Sequence, residues 1–254
     1  MNRMTENKAE QMLAFFADKI NLDNLPLDDQ PTYDLFQRAD TDGIFMMESD
    51  WDKYDLLQIK PPIKSSNFVE YQLNGNVISN VLGIECKDFE GFWPQRQPQW
   101  DGIAISKDKT LYLFEAKSHL SEISGGNNLS PNEQNSQKIE NFKIKEEAIM
   151  KVAKELYGVI GKDYNWMHKY YQVANRLVFL EKMKELSPSS NYKDVKLVFI
   201  NFEKDPTWMI DNKHVSHQEW IDKFDKIFCD LGNIKQKCIE NGVIVLTINA
   251  ESYN

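Results

Sequence analysis

Two adjacent apolar segments joined by a short polar link constrain this fold more than any other part of the chain. Residues 97–106 and 110–119 each have the pattern of a β-strand, and the three polar residues between them are typical of a hairpin turn. Because strand side chains alternate between faces, Glu115 and Lys117 share a face at the end of the second segment. Folding the hairpin brings Asp101 towards both of them. Two carboxylates and an ammonium group then converge at the mouth of a buried sheet, which is costly unless a ligand binds there.

Strands and helices alternate along the rest of the chain. A helix is predicted over about residues 68–82, with Glu70 in or just after its first turn and Gly83 at its end. Residues 195–202 and 243–248 are nearly continuous in apolar residues, as is typical of strands covered on both faces. The remaining predicted helices cover residues 133–157, 164–186, 217–229 and 234–240. This alternation predicts an α/β sandwich.

The first 62 residues are predicted to form a helical extension that packs on the core. Residues 1–20 have the apolar periodicity of an amphipathic helix, and a second short helix is expected at residues 33–38. A pair of prolines then interrupts the chain. We therefore expect two parts, an extension over residues 1–62 and a core over residues 63–254.

The charge and cysteine content of the 254 residues limit the class of protein. A net charge of −9 argues against a general coating of nucleic acid, but it does not exclude an enzyme whose local lysines face phosphates. Three cysteines, few and odd in number, favour a reducing cytoplasm over a disulfide scaffold. No apolar run approaches the roughly 20 residues that cross a bilayer, and the N-terminus lacks the apolar core of an export signal. We expect a cytoplasmic protein with no membrane partner.

The charged residues of the hairpin have the chemistry of a divalent metal site. Asp101 and Glu115 would supply carboxylates to Mg²⁺ or Mn²⁺, and the Ala116 carbonyl would supply a further oxygen, leaving room for a substrate phosphate. Glu70 would contact a metal-bound water or a second ion. Lys117 would polarise or deprotonate the attacking water, or stabilise charge on the phosphoryl group. The simpler alternative is a surface ion pair beside a capped turn.

A pair of polar residues on the helix predicted over residues 164–186 is a second candidate feature. Gln172 and Arg176 lie four residues apart and therefore share a helical face. A guanidinium group suits a phosphate, which makes the pair a candidate substrate contact. A solvated polar face opposite the apolar stripe explains the same pattern. The lysines of the preceding helix alternate with glutamates, and there a solvated face is expected.

The spacing of these residues resembles a known family. Residues 98–101, Pro-Gln-Trp-Asp, followed by residues 115–117, Glu-Ala-Lys, are similar to the motif of the PD-(D/E)XK phosphodiesterase superfamily. The resemblance covers residues 67–120 and extends more loosely to residue 202. One departure is that Trp100 directly precedes the aspartate, so the proline of the motif is displaced.

That resemblance implies a three-layer α/β/α core of the restriction-endonuclease-like fold, with a mixed sheet. It implies Mg²⁺-dependent hydrolysis of phosphodiester bonds, usually in DNA. By position, Asp101 and Glu115 would be metal ligands, Lys117 the catalytic lysine, and Glu70 the auxiliary acid of the helix. Glu85 is the alternative acid, but it lies beyond the predicted end of that helix.

Several alternatives stay open on the sequence alone. The fold can be retained as an inactive binding or assembly module, with the charged residues structural. DNA and RNA are both possible substrates, and internal and terminal cleavage are both possible. A homodimer would suit the cutting of two strands.

Overall fold

A five-stranded mixed sheet is the centre of the computed structural model, which describes residues 36–38, 72–74, 76–105, 109–160, 164–205 and 214–249. In spatial order the strands are β1 (Phe36–Arg38), β5 (Val243–Asn249), β4 (Asp194–Glu203), β3 (Thr110–Lys117) and β2 (Gly102–Ile105). β2 and β3 form the predicted antiparallel hairpin, whereas the other neighbours are parallel.

Helices cover this sheet and bury its central strands. Every residue of β3 and the last seven residues of β4 are buried, in agreement with their continuous apolar sequences. The helices are α1 (Asn76–Leu82), α2 (Ser136–Glu155), α3 (Tyr171–Leu186), α4 (His217–Asp230) and α5 (Lys235–Glu240). The α/β class is confirmed, and the arrangement is compatible with three α/β/α layers. No helix among the described residues is long and apolar enough to span a membrane.

The N-terminal side differs from the prediction at two places. Residues 36–38, expected in a helix, form β1 and pair in parallel with β5, whose edge otherwise has unpaired backbone groups. The helix expected from residue 68 begins at Asn76, because Asn74 is held in a turn by the loop before β2. There its backbone N–H donates to the Gln97 side chain at 3.2 Å. Glu70, on the predicted helix of the core, and all of the predicted extension except residues 36–38 lie outside the described residues.

The helix predicted over residues 164–186 is two helices joined at a distortion. A π-helix covers Asn165–Lys169, and α3 begins two residues later. The end of α4 anchors this π-helix, since the Trp166 indole donates to the Leu231 carbonyl at 2.9 Å. Such π-helical turns are frequent at functional sites, and this one fixes where α3 starts.

Asp230 is a second anchor of the π-helix, and its titration gives a testable effect. Hydrogen bonds from Lys169 and Tyr170, each 2.7 Å long, lower the pKa of the Asp230 carboxyl to about 2. A lowered carboxyl pKa stabilises the fold above the unfolded-state pKa, and this contribution disappears as the pH falls through about 2. Asp230→Asn should therefore reduce the free energy of unfolding in urea at pH 7 by no more than about 1 kcal/mol, since solvent screens the pair.

The same substitution should have no effect below pH 2. Asp222→Asn is the control, because Asp222 is exposed on the same helix and no cation is paired with it among the described residues. An equal effect of Asp230→Asn at both pH values would contradict this assignment.

Candidate functional site

One cavity of about 570 Å³ brings five of the sequence-predicted site residues together. Its lining includes Asp101 and the two charged residues of β3, Glu115 and Lys117. It also includes Gln172 and Arg176 from α3, so the hairpin and the helix face the same space. These five residues were identified in the sequence as two separate features, and the fold joins them.

The hairpin positions Asp101 beside the charged end of β3. Gly102 pairs with Phe114, and the Asp101 backbone N–H donates to the Phe114 carbonyl at 3.2 Å, so Asp101 stands next to Glu115. The Asp101 carboxylate also accepts a hydrogen bond from the Ala116 backbone N–H at 2.6 Å. The aspartate therefore holds the backbone of β3 at the point where the strand enters the cavity.

Glu115 is buried between two cations. One carboxylate oxygen accepts from the Lys117 ammonium, and the other accepts from Arg176 Nε at 2.7 Å and lies 2.5 Å from Arg176 Nη2. Only 3% of Glu115 is exposed. Burial alone would raise the pKa of Glu115, but Arg176 and Lys117 lower it below its usual value, so the carboxylate is ionised.

Lys117 keeps its proton in this arrangement. Burial alone would lower the pKa of Lys117, but the carboxylates of Glu115 and Asp101 raise it above the usual lysine value. The side chain is therefore an ammonium group near neutral pH. Of the roles expected from the sequence, donation of a hydrogen bond to a developing negative charge fits this state better than abstraction of a proton from water.

Arg176 uses its donors within the protein. Besides Glu115, its Nη2 donates to the Gln99 carbonyl at 2.6 Å, and its Nη1 donates to the Asn175 side chain at 3.0 Å. Its guanidinium lies 4.5 Å from the centre of the Trp100 ring. Arg176 therefore fixes the position of Glu115. A phosphate contact by the same guanidinium stays a prediction.

Gln172 has a buried oxygen without a partner. Its Oε1 accepts no hydrogen bond from any described residue, although it has almost no contact with solvent. Burying such an acceptor without a donor costs free energy, so it usually marks the place of a water or ligand. Because Gln172 lines the cavity, a ligand with an N–H or O–H donor can satisfy it.

Trp93 and Trp100, which flank the hairpin, are packing residues. They are 5% and 0% exposed, and their rings lie 5.1 Å and 6.5 Å from that of Phe179 on α3. Both side chains are therefore buried by packing against α3.

Two cations in the lining were not identified from the sequence. Arg96 lies in the loop before β2, and Lys145 lies in α2. The cavity thus has four cationic side chains and two carboxylates, in a chain whose net charge is −9. A local positive excess of this kind favours a ligand with phosphate groups.

A glycine pair closes one side of the cavity against the π-helix. The Gly125 N–H donates to the Lys169 carbonyl at 2.9 Å, and the Tyr171 N–H donates to the Gly125 carbonyl at 3.0 Å. A Cβ atom on Gly126 would lie 2.0 Å from the His168 carbonyl oxygen. Only glycine fits there, and the polar loop of residues 118–135 is thereby held beside α3.

Gly126→Ala should destabilise the protein and displace this loop from α3. The added methyl group meets backbone atoms, which cannot rotate away, so we expect a loss of about 1–3 kcal/mol in the free energy of unfolding. Urea unfolding measures the loss. Ser130→Ala, an exposed position in the same loop, is the control and should be neutral. Equal stability of the two variants would contradict the close packing.

The donors at the cavity suit a hard divalent cation. Asp101 and Glu115 supply carboxylate oxygens, and Mg²⁺ is commonly held by one or two carboxylates together with waters and substrate phosphates. Ala116, whose carbonyl was a predicted ligand, is fully buried in β3 and is not among the residues that line the cavity. No group of three or more His, Cys, Asp or Glu side chains that could hold a metal ion occurs within the described residues, and Glu70 is not among them. The set therefore fits an ion that is shared with a substrate.

Similarity to known proteins is found in the N-terminal segment. Residues 2–63 match the family described as the bacterial DNA polymerase III alpha subunit finger domain. A DNA polymerase III subunit alpha from Pseudomonas aeruginosa is 45% identical over 42 residues, which are 16% of this chain and 4% of that protein. No solved structure matches the chain. The family match ends before the first cavity residue, so membership of the PD-(D/E)XK superfamily stays a proposal.

Proposed function

We propose that this protein is a metal-dependent nuclease that hydrolyses phosphodiester bonds, with DNA as its substrate. The observation that carries the proposal is the meeting of Asp101, Glu115 and Lys117 in one cavity. The positive excess of the lining supports a phosphate-bearing ligand over a neutral one. Two neighbouring carboxylates can hold a divalent ion, and a protonated lysine can stabilise the negative charge that develops on a phosphoryl group.

The preference for DNA comes from the N-terminal similarity. Residues 2–63 are similar to a domain of a protein named for DNA synthesis, and a chain with such a segment would meet DNA. We therefore propose that residues 1–62, which include β1 at the edge of the sheet, assist contact with DNA, and that residues 63–254 carry the nuclease site. A homodimer would have two such sites, one for each strand of a DNA duplex.

The metal ion would be held by Asp101 and Glu115, and the Ala116 carbonyl and Glu70 are proposed as further contacts. When bound, Mg²⁺ or Mn²⁺ supplies Lewis acidity towards the phosphoryl oxygens and lowers the pKa of a coordinated water. A carboxylate offers about four acceptor sites, and Lys117 and Arg176 use three at Glu115. One acceptor site of the carboxylate therefore stays available to the ion.

The residues of this chain hold and stabilise the reacting groups. In the reaction, a water oxygen forms a bond to phosphorus as the ester P–O bond breaks, and the proton that the water loses is balanced by the proton that the leaving oxygen takes from solvent. The Lys117 ammonium donates a hydrogen bond to phosphoryl oxygens as their negative charge grows. Arg176 keeps the Glu115 carboxylate in place, because it binds that carboxylate through two nitrogens and is itself held by the Gln99 carbonyl.

A cleavage assay tests the proposed activity. The full chain is incubated with single- and double-stranded DNA and RNA of mixed sequence, in Mg²⁺, in Mn²⁺ and in EDTA. We expect DNA to be cut in either metal and to be left intact in EDTA. If all four substrates stay intact in both metals, the protein is not a nuclease.

A second candidate function is a binding module for nucleic acid without hydrolysis. The observation that favours it is that both oxygens of Glu115 are already paired with cations of the protein. A module of this kind would bind DNA equally in Mn²⁺ and in EDTA, and calorimetry would detect no uptake of Mn²⁺. The nuclease, in contrast, should take up Mn²⁺ and lose that uptake on Asp101→Asn.

A further inference from the structure

Two cations from distant parts of the chain line the same cavity. Arg96 is exposed in the loop before β2, and Lys145 is half-buried on α2. Neither forms an ion pair with any described residue. The nearby carboxylates Asp101 and Glu115 are instead directed to the backbone of β3, to Lys117 and to Arg176. The two cations are therefore separate from the charge-paired set at the end of the hairpin.

Lys145 has a defined position close to Arg96. Its ammonium lies 5.8 Å from the centre of the Tyr171 ring, on the first residue of α3. Burial has the larger effect in lowering the pKa of the Lys145 ammonium, and the nearby Arg96 guanidinium lowers that pKa further. Two like charges held beside one opening repel each other, and an anion between them relieves this repulsion.

Other lysines of α2 do not share this environment. Lys143 and Lys151 are exposed and do not line the cavity, whereas Lys145 does. Sequence patterning assigned all of them to one solvated face, because lysines and glutamates alternate along the helix. The packing of α2 against α3 therefore places Lys145 in the cavity lining, on a helix whose other lysines and glutamates balance in charge.

We propose that Arg96 and Lys145 together bind a phosphate group of the nucleic acid that is separate from the phosphate cleaved beside Lys117. The identity of the ligand as nucleic acid rests on the proposed function. A second feature of the cavity supports a nucleotide unit over a simple anion: no described residue donates a hydrogen bond to the buried Gln172 oxygen. A nucleotide supplies both a phosphate for the cations and an amino or hydroxyl donor for Gln172.

This contact does not involve the metal ion, and it contributes to the dependence of binding affinity on salt concentration. Each phosphate neutralised by a protein cation contributes about 0.7 for single strands, and about 0.9 for duplex DNA, to the slope of log affinity against log salt. Loss of the Arg96–Lys145 contact should therefore lower that slope by about one. Removal of positive charge elsewhere on the surface should leave that slope unchanged.

The test is fluorescence anisotropy of labelled single- and double-stranded oligonucleotides in EDTA, using the full chain over a range of salt concentrations. The variant Arg96→Gln/Lys145→Gln is compared with Lys143→Gln/Lys151→Gln, which removes the same charge from exposed positions outside the cavity. We expect about tenfold weaker binding and the lower slope for the first variant. The second variant should bind within about twofold of the unaltered protein.

Equal weakening by both variants, no weakening by the first, or no binding by the unaltered protein would each overturn the proposal. Failure of the nuclease proposal is distinguishable, because the assay in EDTA does not involve cleavage. A protein that binds as described and cuts no substrate retains this phosphate site and loses the proposed activity. Thermal unfolding of both variants checks that the substitutions leave the fold intact.

Discussion

Lys117→Ala is expected to lower the rate of Mg²⁺-dependent DNA cleavage by about a hundred- to a thousandfold, the range for removing one donor to a developing charge. The reason is that Lys117 is held as an ammonium group between Glu115 and Asp101, at the mouth of the cavity. The variant should still bind DNA, since Arg96 and Lys145 are untouched. Single-turnover cleavage of a labelled duplex measures the rate.

Lys143→Ala is the matched control for this prediction. It removes a lysine that is exposed on α2 and does not line the cavity, and it should cleave at the rate of the unaltered protein. Circular dichroism confirms that Lys117→Ala is folded before its rate is interpreted. If the folded variant cleaves within twofold of the unaltered protein, the reacting phosphate lies elsewhere.

Arg176→Met is expected to cost about 3–5 kcal/mol of unfolding free energy, the range for removing one partner of a buried ion pair. Arg176 is 6% exposed and supports Glu115 from α3, so the substitution leaves one Glu115 oxygen without its donors. The Gln99 carbonyl and the Asn175 side chain also lose their donor. Urea unfolding at pH 7 measures the change.

A double-mutant cycle isolates the ion pair within that change. Glu115→Gln/Arg176→Met removes both charges, so its cost should be about 1–3 kcal/mol smaller than the sum of the two single substitutions. Lys138→Met, which breaks an exposed pair with Glu133, is the control and should give no measurable change. Additive costs at Glu115 and Arg176 would show that the two side chains do not stabilise each other.

The hairpin was predictable because its signals are local. Alternation over fewer than ten residues places Glu115 and Lys117 on one face, and a short link returns the chain so that Asp101 stands beside them. The helical spacing of Gln172 and Arg176 was predictable for the same reason. The sequence pattern could not show that Arg176 pairs with Glu115, because 61 residues of chain separate the two.

The features that were missed depend on how distant elements pack. The only local signal for Lys145 is that it has no glutamate three or four residues away, unlike Lys143 and Lys151, and the helix face that meets α3 is set by docking. The π-helix likewise depends on contacts with the end of α4. A signal for it was present in the Gly125-Gly126 pair, since glycines in a polar loop often mark a close backbone approach. β1 was missed because an exposed sheet edge can recruit a short segment of weak propensity.

The most direct test of the central claim is a crystal structure of the full chain soaked in Mn²⁺, with diffraction recorded at a wavelength where manganese scatters anomalously. The account predicts an anomalous peak in the cavity, within ligand distance of the carboxylates of both Asp101 and Glu115. It also predicts that the peak is lost in Asp101→Asn. Electron density that shows Glu115 still paired with Lys117 and Arg176, with no anomalous peak at the cavity in saturating Mn²⁺, would contradict the account.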